Sequence, residues 1–275
     1  MASNTAPAAP TDSALPPSAA TAAHAAVTSS IEKDAADKTV FDSPTDFTVK
    51  HPLYSPWTLW FDSASRQVKA QSWDDALTEV STVSSVEEFW GLYNNIVAPS
   101  VLSSSNSNYY LFKKGVKPAW EDPANEQGGK WAVQLPRGKY TESVDMMWLN
   151  TMLAAIGETF ETPFTSTSAP SSPASAASPS PLPSSFSNEI TGVIVSARKA
   201  FFRINIWTRS SSASSEGEGK EDLEKVKERI ENIGRHFKYG ILGFVEGKAS
   251  FGDRDKVSSD VEFASHHGPK GKWTV

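Results

Sequence analysis

Three stretches of the chain place apolar residues at helical spacing. Near 86–97, Val86, Phe89, Trp90, Tyr93 and Ile96 share one face, and Ser85-Val86-Glu87-Glu88 has the form of a capping box. Near 143–157 the apolar set is Val144, Met147, Trp148, Leu149, Met152, Leu153 and Ile156, with Gly157 placed as a C-cap. Near 221–238 a single stripe runs through Leu223, Val226, Ile230, Ile233 and Phe237, and Glu221 with Lys225 adds an i,i+4 pair. The remaining apolar runs are short and strand-like. They are Trp57 to Phe61, Lys69 to Asp74, Tyr109 to Phe112, Lys130 to Leu135, Ile190 to Ser196, Phe201 to Thr208 and Gly240 to Gly247. Trp131, Val133 and Leu135 alternate with polar or small neighbours, as a sheet with one covered face requires. Ile190 to Thr208 reads as a hairpin turning at Arg198-Lys199-Ala200. With few helices and no repeated parallel crossovers, the pattern predicts an α+β fold: a mostly antiparallel sheet with helices on one face.

Two tracts interrupt the pattern. Residues 1–40 are rich in Ala, Pro, Ser and Thr, and residues 165–187 are nearly all Ser, Pro, Ala and Thr. Neither buries enough to offset its ordering entropy, so both are expected to be disordered, the second as an insertion within the domain. A flexible loop is expected at 210–220. The 275 residues then resolve into a tail, 1–40, and a single domain, 41–275. Its ordered core of roughly 200 residues can bury about 70% of its unfolded surface.

Composition narrows the chemistry. The balance of 26 Lys+Arg against 32 Asp+Glu gives a net charge of −6, which excludes a protein that coats nucleic acid by broad phosphate neutralisation. There is no Cys, so there is no disulfide framework, thiolate metal site or thiol nucleophile, and a reducing compartment is expected. No apolar run approaches a membrane span, and the N-terminus does not read as a secretory signal. Enzyme signatures are poor. Gly243 to Ala249 is one residue short of a phosphate loop and lacks its Ser or Thr, so it reads as a turn. His266-His267 has no third ligand and reads as a solvated pair. Neither a catalytic set, a metal site nor a cofactor is expected.

Nine Trp residues are the unusual figure. Trp120-Glu121-Asp122 lies in a loop between Pro118 and Pro123. An indole beside a carboxylate offers a stacking face and a bidentate acceptor, which is what a guanine needs at its N1 and N2 donors. Alone this is weak, since an exposed Trp covering apolar surface explains it too. The wider context is specific. His51 to Phe61 (HPLYSPWTLWF), Val86 to Asn94 (VEEFWGLYN), Pro118 to Asp122, Gly128 to Trp131, Trp148-Leu149 through Ile156-Gly157-Glu158, and Arg203 to Thr208 occur in that order. Together they resemble the mRNA cap-binding translation initiation factor 4E family over about 51–162 and 189–245.

The resemblance implies a curved antiparallel sheet backed by three long helices on its convex face. It implies binding of the 7-methylguanosine cap of mRNA without catalysis. Trp73 and Trp120 would sandwich the methylated base, whose positive charge adds cation–π attraction of roughly 0.5–2 kcal/mol per face. Glu121 would accept from the Watson–Crick edge, and Trp207 would pack against the N7 methyl. Lys130, Arg198 and Arg203 match the cations that hold the cap phosphates, with Lys199 as an extra candidate beside neutral Ala200. From spacing alone the hairpin cations read as a solvated face. Net acidity is no objection, because a triphosphate needs only a local cluster.

The resemblance also implies a second surface for a short helical motif carried by the 4G scaffold and by 4E-binding repressors. The matching positions are His51, Pro52, Val86, Trp90, Leu149, Leu153 and Gly157, with Trp90 as anchor. Periodicity alone equally allows Val86 and Trp90 to pack on the sheet. Asn150 stands where some relatives carry an acidic residue. Trp57, Trp60, Trp131 and Trp148 are read as core. The alternative function is a cap-binding repressor of the same fold that does not recruit the scaffold; Trp at both 57 and 73 favours the initiation factor. A cytoplasmic monomer is expected outside the initiation complex, with the nucleus as a second location.

Overall fold

In the strand Gly129–Pro136 every second residue is buried, and Trp131, Val133 and Leu135 are fully so. The same alternation builds a sheet with two chemically different faces. The computed structural model describes residues 38–64, 72–102, 106–164, 188–211, 223–244, 261–266 and 272–275. Its strands are β1 (Pro52–Asp62), β2 (Thr78–Ser85), β3 (Ser107–Lys113), β4 (Gly129–Pro136), β5 (Ile190–Ala197), β6 (Phe201–Thr208), β7 (Glu262–Ser265) and β8 (Lys272–Thr274). They form one curved sheet in the order β2-β1-β3-β5-β6-β4-β7-β8, and every neighbouring pair is antiparallel. The expected α+β architecture is the one observed.

Three helices cover one face: α1 (Val86–Tyr93), α2 (Val144–Ile156) and α3 (Leu223–Arg235). The main core lies beneath them and joins Trp57, Leu59, Trp131, Val193 and Ile204 of the sheet to Phe89, Trp148, Met152 and Ile230 of the helices. A smaller apolar cluster on the opposite face comprises Tyr110, Phe112, Ile194 and Trp207, with Trp60 packed against it. Trp57, Trp131 and Trp148 are core as expected. Trp60 is half-buried on the other face, because period 2 sends it opposite Trp57 and Leu59.

Caps set the helix limits. Ser85 Oγ accepts from Glu88 N (3.2 Å) at the start of α1, while Glu88 reaches back to Ser84 N (2.8 Å) rather than to Ser85. α1 ends at Tyr93, short of the expected 97. Gly157 caps α2 as expected, but with φ −85°; the left-handed residue is Glu158, φ +54°. Buried Glu158 is held by Lys113 Nζ at 3.0 Å. Burial raises the Glu158 pKa and lowers that of Lys113, and their mutual attraction opposes both shifts. The stripe of α3 continues into a π-helical turn, His236–Ile241, that buries Phe237. The expected Glu221–Lys225 pair lies outside the described residues, as do most of 1–40 and all of 165–187. Of the 210–220 loop, Ser210 and Ser211 are described: Ser210 N donates to Glu189 Oε1, and buried Ser211 Oγ bonds Gln127 O (3.1 Å). No described helix is long and apolar enough to cross a membrane.

Two expected strands are not strands. Trp73–Ala76 is a helical turn, started by reciprocal bonds between Ser72 and Asp75 (3.1 and 3.2 Å); residues 69–71 lie outside the described set. Residues 240–244 complete the π turn and a bend at Gly243, whose φ is +72°; 245–247 lie outside. The polar edge strand β2 and the short β7 and β8 take their place. At β2 and β8 the pattern is weak because sheet edges need little apolar surface, and β7 is only four residues long. Residues 38–50 form a separate small unit, turned by Thr39 N donating to Asp42 (2.8 Å) and tied by a Lys38–Asp46 ion pair (2.7 Å).

Trp131 and α3 meet without clearance. Trp131 Nε1 donates to Ile230 O (2.8 Å), and a Cβ on Gly234 would stand 2.5 Å from the indole ring. Gly91 of α1 has nothing within 4 Å of that position. Helix propensity favours Ala over Gly by about 1 kcal/mol at both sites. At Gly234, overpacking costs about 1–3 kcal/mol or more and wins. Thermal unfolding should therefore report opposite signs: Gly234→Ala lowers the melting temperature and Gly91→Ala raises it. Equal signs would mean that α3 is not seated on Trp131.

Candidate functional site

The face opposite the helices carries three rows of side chains in register. The first runs Thr58, Phe112, Gly192, Trp207, Lys130; the second Trp60, Tyr110, Ile194, Asn205, Ala132; the third Asp62, Asn108, Ser196, Arg203, Gln134. Gly192 allows Phe112 to lie on the sheet, since a Cβ there would sit 2.4 Å from the ring. Phe112 then meets Trp207 edge-to-face at 5.5 Å. Trp207 is also packed against His266 at 4.3 Å and is only 7% exposed. His267 lies outside the described residues.

The loop between β3 and β4 is pinned by two residues that sequence reasoning did not single out. Asp122 accepts from Lys117 N and Ala124 N (both 2.9 Å). Asn125, fully buried, donates to Lys117 O and Ala119 O (both 2.9 Å). Their only sequence signal is the Asx preference for turns. With the loop folded on these bonds, Trp120 is left 51% exposed and Glu121 is exposed beside it. The loop leads into β4 through Gly128, where a Cβ would fall 1.8 Å from Thr208 O. Glu121, Asp122 and Lys117 line a cleft of about 520 Å³ with Ser72 and Asp74, the residues on either side of Trp73. An exposed Asp74–Lys117 pair (3.6 Å) joins the two segments. Sequence-distant Trp73 and Trp120 therefore belong to segments that share one cleft.

Cations gather on the same face. Lys130 is half-buried and in register with Trp207. Burial, and then the like charge of Arg203, pull its pKa below the ordinary lysine value. Arg203 is exposed and donates to Gln134 Oε1 (3.0 Å). Arg198, at the start of the hairpin turn, is pulled down by burial, against which Tyr110 and Asp62 act. Asp62 itself is buried and accepts from Asn108 Nδ2 and Tyr110 Oη. Lys199 is exposed at the hairpin tip, closed by Arg198 N donating to Phe201 O (2.9 Å). Arg137, also not marked by sequence, braces the hairpin: its Nε donates to Arg198 O (2.7 Å) and its guanidinium covers Phe202 at 4.1 Å.

A different surface collects the second predicted set. His51 joins β1 to α1: its N donates to Glu87 Oε2 (2.9 Å), its Nδ1 lies 2.6 Å from Glu87 Oε1, and its carbonyl accepts from Val86 N. The His51 contacts draw Glu87 down to a pKa of about 2. Pro52 pairs with Ser85, Val86 is exposed, and Trp90 is 37% exposed, edge-on to Phe89 (5.4 Å) and Tyr93 (5.8 Å). Tyr93 lines a crevice with Met152 of α2, and Leu149 and Leu153 flank that residue along the helix, both partly buried. Gly157, exposed, ends α2.

Known proteins share this arrangement. The family described as Eukaryotic initiation factor 4E matches residues 52–262. An initiation factor 4E of Candida albicans is 38% identical over 197 residues, 71% of this chain and 79% of its own length. Among solved structures, Ascaris suum eIF4E-3 in complex with an m7G cap is 28% identical with a TM-score of 0.58, over 80% of this chain and 94% of that one. C. elegans eIF4E-3 in complex with the 4E-binding protein Mextli is 27% identical with a TM-score of 0.57, over 79% and 94%. The family match spans every strand from β1 to the start of β7 and, His51 excepted, the residues of the two sets described above, and this chain belongs to the eukaryotic initiation factor 4E family.

Proposed function

We propose that this protein binds the 7-methylguanosine 5′ cap of mRNA and, through a helical motif docked on α1 and α2, a 4G-type scaffold that recruits the message for translation in the cytoplasm. The observation that carries the reading is the exposed Trp120–Glu121 pair on a loop running into β4, where Trp207 and the cations Lys130, Arg198 and Arg203 share one face. Trp120 and Trp73 stack on the base, Glu121 accepts from N1 and N2, and Trp207 packs the methyl edge. Lys130 and the hairpin cations Arg198, Lys199 and Arg203 hold the phosphates. A methylated guanine is cationic, so two indole faces prefer it over plain guanine. The cations are already desolvated or crowded by like charge, so a triphosphate relieves a repulsion as well as adding contacts. Competing repressors with the same motif would occupy the surface of His51, Pro52, Val86, Trp90, Leu149, Leu153 and Gly157.

The primary test is retention on a 7-methyl-GTP resin competed with plain GTP; equal competition by both nucleotides rejects cap recognition. Glu121→Gln removes the charge and one acceptor, and charge-assisted hydrogen bonds contribute roughly 1.5–3 kcal/mol, so affinity should fall about tenfold to a hundredfold. An unchanged dissociation constant would leave Glu121 without a role in reading the base.

A second outcome concerns pH. Lys130 has its pKa lowered in the free protein, and a bound phosphate favours its charged form. Above the lowered value, binding must take up a proton, so affinity falls as pH rises toward the ordinary lysine range near 10.4. Lys130→Arg, which stays charged, should flatten that fall in a titration calorimetry series. A fall of the same size in the variant would assign it to another group.

Trp90→Ala should leave cap affinity intact and weaken a scaffold-motif peptide by about 2–4 kcal/mol, the range of a buried aromatic hot spot. Undiminished peptide binding in fluorescence anisotropy would place the docking surface elsewhere.

A further inference from the structure

One side chain on the ligand-facing side of the sheet has no evident use in the fold. Asn205 lies on β6 two residues from Arg203 and two from Trp207, so all three stand on the same face. Across the ladder it is opposite Ala132 of β4 and Ile194 of β5, neither of which offers a polar side-chain atom. Asn205 is 7% exposed, and its Oδ1 is shielded from solvent with no hydrogen-bond donor among the described residues. The indole Nε1 of neighbouring Trp207 is likewise buried and without an acceptor among them. A buried amide left in this state is unfavourable, and an aliphatic residue would serve the packing better. No side-chain hydrogen bond among the described residues engages the amide, and only its Oδ1 is shielded, so its N–H₂ is the end turned to the exposed side.

Position identifies what that amide meets. Along β6, Trp207 is on the base side of Asn205 and Arg203 on the phosphate side, with Lys130 opposite Trp207 on β4, so a ligand running from Trp207 to Arg203 passes over Asn205 with the phosphate attached to its nucleoside. The two cations favour an anionic oxygen there over a hydroxyl. We propose that Asn205 is a further ligand-contacting residue of this site, donating from its amide to the phosphate nearest the base. The proposal rests on the cap-binding reading above.

The test uses the full chain and three ligands: 7-methyl-GTP, 7-methyl-GMP and the nucleoside 7-methylguanosine. Asn205→Ala should weaken both nucleotides by about tenfold, the scale of one hydrogen bond to a charged group, and leave the nucleoside unchanged. Asn205→Asp keeps the shape but turns a carboxylate toward the phosphates, so it should lose more than Asn205→Ala on both nucleotides. The unliganded melting temperature of Asn205→Ala should stay level or rise, because an unpartnered amide has been removed. The proposal is overturned if Asn205→Ala binds 7-methyl-GTP like wild type. It is also overturned if the variant loses as much on the nucleoside, which would mean a ribose or base contact, or if its melting temperature falls, which would mean a structural role. Wild-type discrimination between 7-methyl-GTP and GTP is measured alongside. If that discrimination is absent, cap recognition fails; if it is present and Asn205→Ala is silent, only the Asn205 assignment fails.

Discussion

The seat of Trp131 beneath α3 fixes which way β4 faces. Its ring lies against the bare backbone of Gly234 and on Phe263 of β7 (5.2 Å), and its N–H is spent on the Ile230 carbonyl. A large indole held on three sides cannot rotate to the other face of the sheet. Because side chains alternate along a strand, Lys130 and Ala132 are then committed to the opposite side. Pairing with β6 carries the commitment onward: Trp207, Asn205 and Arg203 stand beside Lys130, Ala132 and Gln134. The polar and cationic side chains of the proposed cap-binding face are thus aligned by apolar packing on the far side of the same strands.

That alignment has an electrostatic cost. Lys130 is desolvated and sits near Arg203, and Arg198 is partly desolvated at the start of the hairpin turn. The buried carboxylates Glu158 and Glu189 are engaged elsewhere, with Lys113 and Arg229. Asp62, whose charge acts on Arg198, already accepts from Asn108 and Tyr110. The crowding of Lys130 by Arg203 opposes folding and favours binding of an anion, which is a common compromise at binding sites.

Positioning of Trp120 and Glu121, the proposed base-binding pair, relies on ordinary turn chemistry. Asp122 and Asn125 close the loop on its own backbone and leave Trp120 and Glu121 outside. Arg137 does the same for the hairpin that carries Arg198 and Lys199. These bracing residues touch no proposed ligand group, yet they limit the freedom that binding would otherwise have to remove. The partner surface follows similar logic: the His51–Glu87 contact ties β1 to α1 and presents Val86 and Trp90 together.

Strong local periodicity was enough to read α1, α2 and α3, the hairpin of β5 and β6, and the three core Trp residues. Each of these buries a stripe large enough to leave a pattern in the sequence. The ordered Trp-rich motifs marked the family. Edge strands β2 and β8 and the four-residue β7 left little pattern, and the turn at Trp73–Ala76 read as a strand, because pairing partners and a Ser72–Asp75 bond decide those segments. Trp60 and Trp57 are indistinguishable as core in composition; only the sheet's covered face separates them. From spacing alone the hairpin cations read as a solvated face, because Lys130 and Arg203, 73 residues apart, come close only through the β4–β6 ladder. Asn205 carried no signal at all, since whether an amide is satisfied depends on what tertiary packing puts across from it.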